Sequence, residues 1–216
     1  MLKINKIPFT LGLKLCVFAS GSGSNLKAII NASLAGLIKS RVELVISNNS
    51  ASGALKTAAK FDIPFLHLSQ KLFKTEKEFT NSILDVLKKY KIDLILLAGY
   101  MKMLSPKVIK KFRNRIINIH PALLPKFGGK GMYGIHVHEA VLKAKEKVTG
   151  ATVHFVNEVY DSGATIKQRE VKVMPGDVAV KLQKRVLRTE HKLYPEVIKL
   201  FEEKRIKVRS NKVTIK

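Results

Sequence analysis

Sulfur and acid are what this chain has least of. A single cysteine, Cys16, in 216 residues excludes a disulfide framework and suits a reduced cytoplasm. No apolar run approaches the length of a bilayer crossing, so no membrane-spanning helix is expected. The opening MLKINKIPFTLGLKLCVF carries two lysines before an apolar stretch. That stretch is short and runs straight into a strand-like segment, so it reads as a leader into the first strand and not as a signal peptide. Acidic residues number 16 against 40 basic ones, a formal charge of +24. Such an excess attracts nucleic acid, anionic membrane or anionic small molecules. Aromatics are scarce at 7%, and few lie between the lysines, which scatter over almost every predicted helix (Lys27, Lys56, Lys60, Lys88, Lys89, Lys110, Lys111, Lys143, Lys145). A solvated basic surface fits this scatter better than a dedicated nucleic-acid face. With 46% hydrophobic residues the chain can bury the core of one domain spanning 1–216.

Short apolar runs alternate with amphipathic ones through the first half. LKLCVFAS, VELVIS, PFLHL, DLILLAG and RIINIH read as strands. Helices are expected over 24–36, 51–61, 75–90 and, briefly, in SPKVIKKF. The strands are unbroken Val/Ile/Leu blocks, the mark of parallel strands covered on both faces. Repeated units of this kind build an α/β, doubly wound, mostly parallel sheet with helices on both faces. After residue 120 a glycine-rich loop leads to a helix near His138–Lys145. GATVHFVN and ATIKQREVKV, separated by EVYDSG, suggest an antiparallel addition to the sheet. A long C-terminal helix is expected over about 177–204, with Val178, Leu182, Val186, Leu193, Val197 and Leu200 on one face and Asp177 as its N-cap. The remaining tail, 205–216, is too short to be a domain.

Two stretches carry chemistry. FASGSGSNLKAII joins the first strand to the first helix through Gly21 and Gly23, where free N–H groups and the helix dipole make a seat for phosphate. Gly23, Ser24 and Asn25 are the candidate contacts. The dinucleotide fingerprint would need glycine at position 26, where this chain has Leu26, and a P-loop would need Gly-Lys-Ser/Thr. A tight turn capped by Ser24, with no ligand, stays open on this segment alone. The second stretch is NIHPALLPKF. Asn118 and His120, two apart, project to the same side of one strand, at the carboxyl rim where open parallel sheets bind ligands.

Asn118 to Lys126, NIHPALLPK, closely resembles the signature of the folate-dependent formyltransferases. SGSGSNLKAI resembles that family's phosphate loop, LLAGYMKMLSP its folate-pocket segment, TGATVHFVNEVYDSGATIKQ its catalytic-aspartate loop and RTEHKLYPEVI its final helix. Together these span about 14 to 200 in the family's order. The resemblance implies transfer of the formyl group of 10-formyltetrahydrofolate to the amine of N1-(5-phosphoribosyl)glycinamide, a step of de novo purine synthesis. It implies Asn118, His120 and Asp161 as catalytic residues: an amide donor to the developing oxyanion, an imidazolium on the same oxygen, and a carboxylate favouring that charge. It implies Gly23, Ser24, Asn25 and Glu190 on the ribotide. Met101, Lys102, Met103, Leu104, Asn118, Tyr160 and Asp161 would surround the folate, with Leu97 and Tyr100 behind, and His154 is a secondary candidate. The first half, 14–120, would hold phosphate and the second, 121–204, catalysis and folate.

Lys102 stands where an arginine is common in the family, and Glu76-Lys77 replaces another, which bears on the folate tail. The loop Gly128–Gly134 is long enough for a flap. His136, His138 and His154 lack the spacing of a zinc site, and the family needs no metal. The implied partners are small molecules, with no specific nucleic acid or membrane, and the assembly a monomer or homodimer. Rival readings are a tRNA formyltransferase, a formyltetrahydrofolate hydrolase and, from another class, a basic RNA-binding protein.

Overall fold

Leu15 and Val17 turn to one face of the first strand and Cys16 and Phe18 to the other, and all four are fully buried. A strand covered on both faces needs helices above and below it, and the computed structural model, which describes residues 12–210 and 212–216, has them. The leader read into the N-terminus falls on residues 1–11, outside the described residues.

The main sheet has seven strands: β1 (Lys14–Phe18), β2 (Arg41–Ser47), β3 (Phe65–His67), β4 (Leu94–Leu97), β5 (Ile116–His120), β6 (Val148–Phe155) and β7 (Thr165–Lys172). Their order is β3-β2-β1-β4-β5-β6-β7, parallel through β5, with β6 and β7 added antiparallel. Six helices connect or follow them: α1 (Ser24–Leu34), α2 (Gly53–Lys60), α3 (Glu76–Lys89), α4 (Pro106–Lys111), α5 (Ile135–Lys143) and α6 (Ala179–Glu202). One core packs α1, α2, α5 and α6 on Leu15, Val17, Val45, Leu96 and Ile117. The other packs Ile83 and Leu87 of α3 and Val108 and Ile109 of α4 on Cys16, Phe18, Leu44 and Ile95. The chain winds outward from β1 to β3, then returns to place β4 on the other flank of β1. Loops leaving β1 and β4 therefore diverge at their carboxyl ends and open a crevice.

Two local features differ from the sequence reading, and a third goes beyond it. Asp177 does not cap α6: Val178 holds the N-cap position, and Asp177 instead accepts the Met174 N–H and clamps the Arg185 guanidinium through both oxygens. A bidentate guanidinium outcompetes one helix-end N–H for a carboxylate. The helix expected near His138 begins three residues earlier, at Ile135, so His136 and His138 both lie on α5. The tail also has structure: β8 (Ile206–Arg209) and β9 (Lys212–Ile215) form an antiparallel hairpin whose Ile206, Val208 and Val213 pack against the first core. α6 continues through Pro195, which is buried with Leu193, Tyr194 and Val197, so packing offsets the hydrogen bond that proline cannot donate.

Candidate active site

The rim of the sheet holds a cavity of about 660 Å³, inside the range of small-molecule sites. The loop after β1 lines one end, Gly99 to Leu104 a wall, and the end of β5 the floor. Gly129–Gly134 and Val156–Asp161 lie across from these, and α6 contributes Gln183, Leu187 and Glu190. Every residue singled out above as catalytic, ribotide-binding or folate-binding lines this one space, as do His154 and Gly128–Gly134's neighbour His138. Glu76 and Lys77 do not; they sit at a separate open cleft beside Ser105–Lys107.

The phosphate loop is held by close packing. Gly23 has φ 78°, and a Cβ there would meet the Ala54 backbone at 2.6 Å, so only glycine fits between the loop and the start of α2. Gly23 is also the N-cap of α1, which has no side-chain cap; Ser24 is its first helical residue and not the cap. The first N–H groups of α1 are thus left to the cavity.

At the floor, β5 and β6 pair with Asn118 opposite His154. The His154 Nδ1–H donates to the Phe155 carbonyl at 2.8 Å, which leaves Nε2 as an acceptor. The Asn118 amide donates to that Nε2 at 3.1 Å and, more weakly, to Asp161 Oδ1 at 3.4 Å. Asp161 Oδ2 accepts the Gly129 N–H at 2.9 Å and lies 3.5 Å from His120 Nδ1. The His120 Nε2–H donates to the Phe127 carbonyl at 2.8 Å. An amide, two imidazoles and a carboxylate from three segments therefore meet around one point.

The family model for formyl transferases matches residues 13–198. The chain belongs to the formyl transferase family. It is 43% identical over 203 residues to the chloroplastic phosphoribosylglycinamide formyltransferase of Arabidopsis thaliana, covering 94% of this chain and 70% of the relative. It is 38% identical over 198 residues to phosphoribosylglycinamide formyltransferase of Haemophilus influenzae, covering 92% and 91%. The crystal structure of glycinamide ribonucleotide transformylase 1 from Symbiobacterium toebii superposes with a TM-score of 0.88 at 37% identity, covering 94% of each chain.

Electrostatics in this formyl transferase bear on the role of His120. Burial pushes His120 below its ordinary value; Asp161 and the Phe127 carbonyl push back without overcoming it. The ring is therefore harder to charge in the ligand-free site than a free imidazole, which bears on the imidazolium that the resemblance implies. With Nε2–H committed to Phe127, the charging proton enters at Nδ1, facing Asp161. Burial raises the Asp161 carboxyl, but His120 beside it and the Gly129 N–H help to outweigh that and hold it below the usual carboxylate value. His138 is pushed down to about 4 by burial and by His120, and its Nδ1 has no partner among the described residues. Among the described residues no group of three His, Cys, Asp or Glu side chains is arranged to hold a metal.

At the other end of the cavity, the Asn25 amide donates to Glu190 Oε2 at 2.7 Å. Burial raises the Glu190 carboxyl to about 7, although the Asn25 amide favours its charged form. The Asn25 carbonyl oxygen is buried without a partner among the described residues. The folded protein holds a proton on Glu190 that the unfolded chain releases near 4.5, so stability falls as pH rises from there to about 7. Glu190→Gln removes this loss. Melting curves from pH 4 to pH 8 should show the variant gaining on the parent, by about 3 kcal/mol at the alkaline end. Parallel curves would mean that the carboxyl titrates as in water.

Several contributors escaped the sequence reading. The Phe127 carbonyl and the α6 residues Gln183 and Leu187 carry no motif, and Ser20 and the Gly129 N–H lie in stretches singled out for other residues. Tyr194 is fully buried, and its hydroxyl shares its one proton between the carbonyls of Leu97 and Ile117, tying α6 to the ends of β4 and β5. His138 was visible, but only as half of an unsupported metal pair.

Proposed function

We propose that this formyl transferase moves the formyl group of 10-formyltetrahydrofolate to the primary amine of N1-(5-phosphoribosyl)glycinamide, in de novo purine synthesis. The observation that carries the reading is the shared cavity: an anion seat with the Asn25–Glu190 pair at one end and the Asn118–His120–Asp161 cluster at the other. The names borne by the relatives support it. The cavity suits two ligands. A phosphoryl group matches the uncapped start of α1, and ribose hydroxyls match the unpartnered Asn25 oxygen and the Glu190 carboxyl. The folate ring system matches an apolar wall left open to solvent: Met101 is 48% exposed, Met103 40%, Val159 63% and Tyr160 41%. Lys102, exposed on that wall, is a point charge toward the glutamyl tail.

The folate brings an electrophilic formyl carbon. Negative charge then develops on the formyl oxygen and positive charge on the attacking amine. Asn118 supplies the amide donor for the oxygen, oriented by His154, which holds one of its hydrogens. The contact to Asp161 at 3.4 Å is the weaker one and is given up to the oxygen. The amine nitrogen bonds to the formyl carbon, the bond from that carbon to N10 breaks, and N10 takes up a proton as tetrahydrofolate leaves. His120 exchanges that proton at Nδ1, and Asp161 stabilises the ring once charged. In this reading the division into a phosphate half, 14–120, and a catalytic and folate half, 121–204, is not clean: Asn118, His120 and Met101–Leu104 come from the first half, and Asp161 and Glu190 from the second. The reading places the reaction in the cytoplasm, where the buried Cys16 thiol stays reduced, and takes small molecules, not nucleic acid, as partners.

A turnover assay with 10-formyltetrahydrofolate and three competing acceptors tests this. The ribotide should be formylated at about 1–1,000 per second, with water and charged tRNA lower by orders of magnitude. Comparable kcat/KM for either competitor would transfer the assignment to a hydrolase or a tRNA-directed enzyme.

A further inference from the structure

Ser20 is the residue at which β1 leaves the sheet, and its polar atoms join three segments. It does not line the cavity and is only 8% exposed. Its N–H donates to the Gly99 carbonyl at 3.0 Å. In a parallel ladder the return bond would run from the neighbouring strand to the Ser20 carbonyl. Here the Met101 N–H donates to the Ser20 hydroxyl oxygen instead, at 3.0 Å. The hydroxyl donates its own proton to Asn48 Oδ1 at 2.5 Å, and the released carbonyl accepts from the Asn49 side chain at 3.2 Å. The side chain thus replaces the backbone as the last rung between β1 and the segment after β4. That substitution turns the following peptide away from the sheet and launches Gly21 to Asn25 toward the cavity.

The consequence is mechanical. Gly21–Asn25 form the phosphate end and Met101–Leu104 the folate wall, and both begin one residue or less from this hydroxyl. A hydroxyl has one proton to give, here committed to Asn48, so its lone pairs are aimed by that bond. Movement of the loop after β1 shifts the acceptor of the Met101 N–H, and movement of the wall pulls on the start of the loop.

We infer that Ser20 is a positioning residue that couples the two ligand-binding ends of the site, so that occupancy of the phosphate end strengthens folate binding and the reverse. The inference rests on the proposed function for the identity of the two ligands. Neither Ser20 nor Asn48 touches a ligand in this scheme; both act through the Met101 backbone.

Calorimetric affinities for tetrahydrofolate, with and without saturating ribotide, measure the coupling directly. The parent protein should bind tetrahydrofolate at least about fivefold more tightly in the presence of ribotide, with the same factor for ribotide in the presence of tetrahydrofolate. Ser20→Ala should reduce that factor below about twofold, with both KM values rising more than kcat falls, whereas Ser20→Thr, which keeps the hydroxyl, should retain it. Asn48→Ala provides a second route that leaves the ladder intact, and it should lower the factor by about twofold or more even if Ser20→Ala folds poorly. A parent factor of one, or a factor unchanged in Ser20→Ala and Asn48→Ala, overturns the inference while leaving the proposed function standing. Failure of the parent to bind either ligand defeats the proposed function first, and the coupling with it.

Discussion

His120→Ala is expected to lower kcat for formyl transfer by about 1,000-fold while both ligands bind within about threefold of the parent. The ring is almost wholly buried, and its Nδ1 is the one nitrogen free to exchange a proton beside Asp161. Alanine removes that nitrogen and leaves the phosphate loop, the Asn25–Glu190 pair and the apolar wall untouched. The Phe127 carbonyl loses its donor, so the melting temperature should fall by a few degrees, and the comparison is made below the transition. Single-turnover rates at saturating ligands provide the measurement. A rate within about tenfold of the parent would remove His120 from the chemistry.

Asp161→Asn is expected to cost about 100-fold in kcat and to move one limb of the pH profile. Asparagine is the suitable replacement because Asp161 has φ 53°, a left-handed conformation that asparagine tolerates and alanine does not. The carboxylate is the main group opposing burial at His120, so its removal lowers the His120 value further. The limb of kcat against pH governed by His120 should therefore shift to lower pH, whether the neutral or the charged ring is the active form. A loss of rate with that limb unmoved would show that Asp161 acts through some other group, such as the Asn118 amide it faces.

Much of this fold is readable residue by residue. The uninterrupted VFA, LVIS and LILL runs announced buried parallel strands because residues on both faces must be apolar when helices cover both. The stripe on α6 was equally plain, since Leu182, Val186, Leu193, Val197 and Leu200 recur at the helical period and all are buried, whereas Val178, expected on the same face, is the exposed N-cap. Where the sequence misled, a competing long-range bond was responsible. Asp177 looked like a cap and is instead taken by Arg185. The closing residues read only as too short for a domain; packing of Ile206, Val208 and Val213 on the core is what holds β8 and β9 in place.

The candidate site divides in the same way. Residue types at strand ends, the two glycines of the first turn and the family signature are local properties, and they alone identified Asn118, His120, Asp161 and Glu190 as residues to watch. Their ionic and hydrogen-bonding states are not local. Asn118 is aimed by His154, 36 residues away, and by Asp161, 43 residues away. His120 is harder to charge than a free imidazole because neighbours distant in the chain exclude water from it. Periodicity and composition act over a few residues, whereas desolvation and hydrogen-bond commitment depend on everything packed around an atom. The chain order thus determined which groups are present at the rim, and the tertiary structure decided which of their protons are free to react.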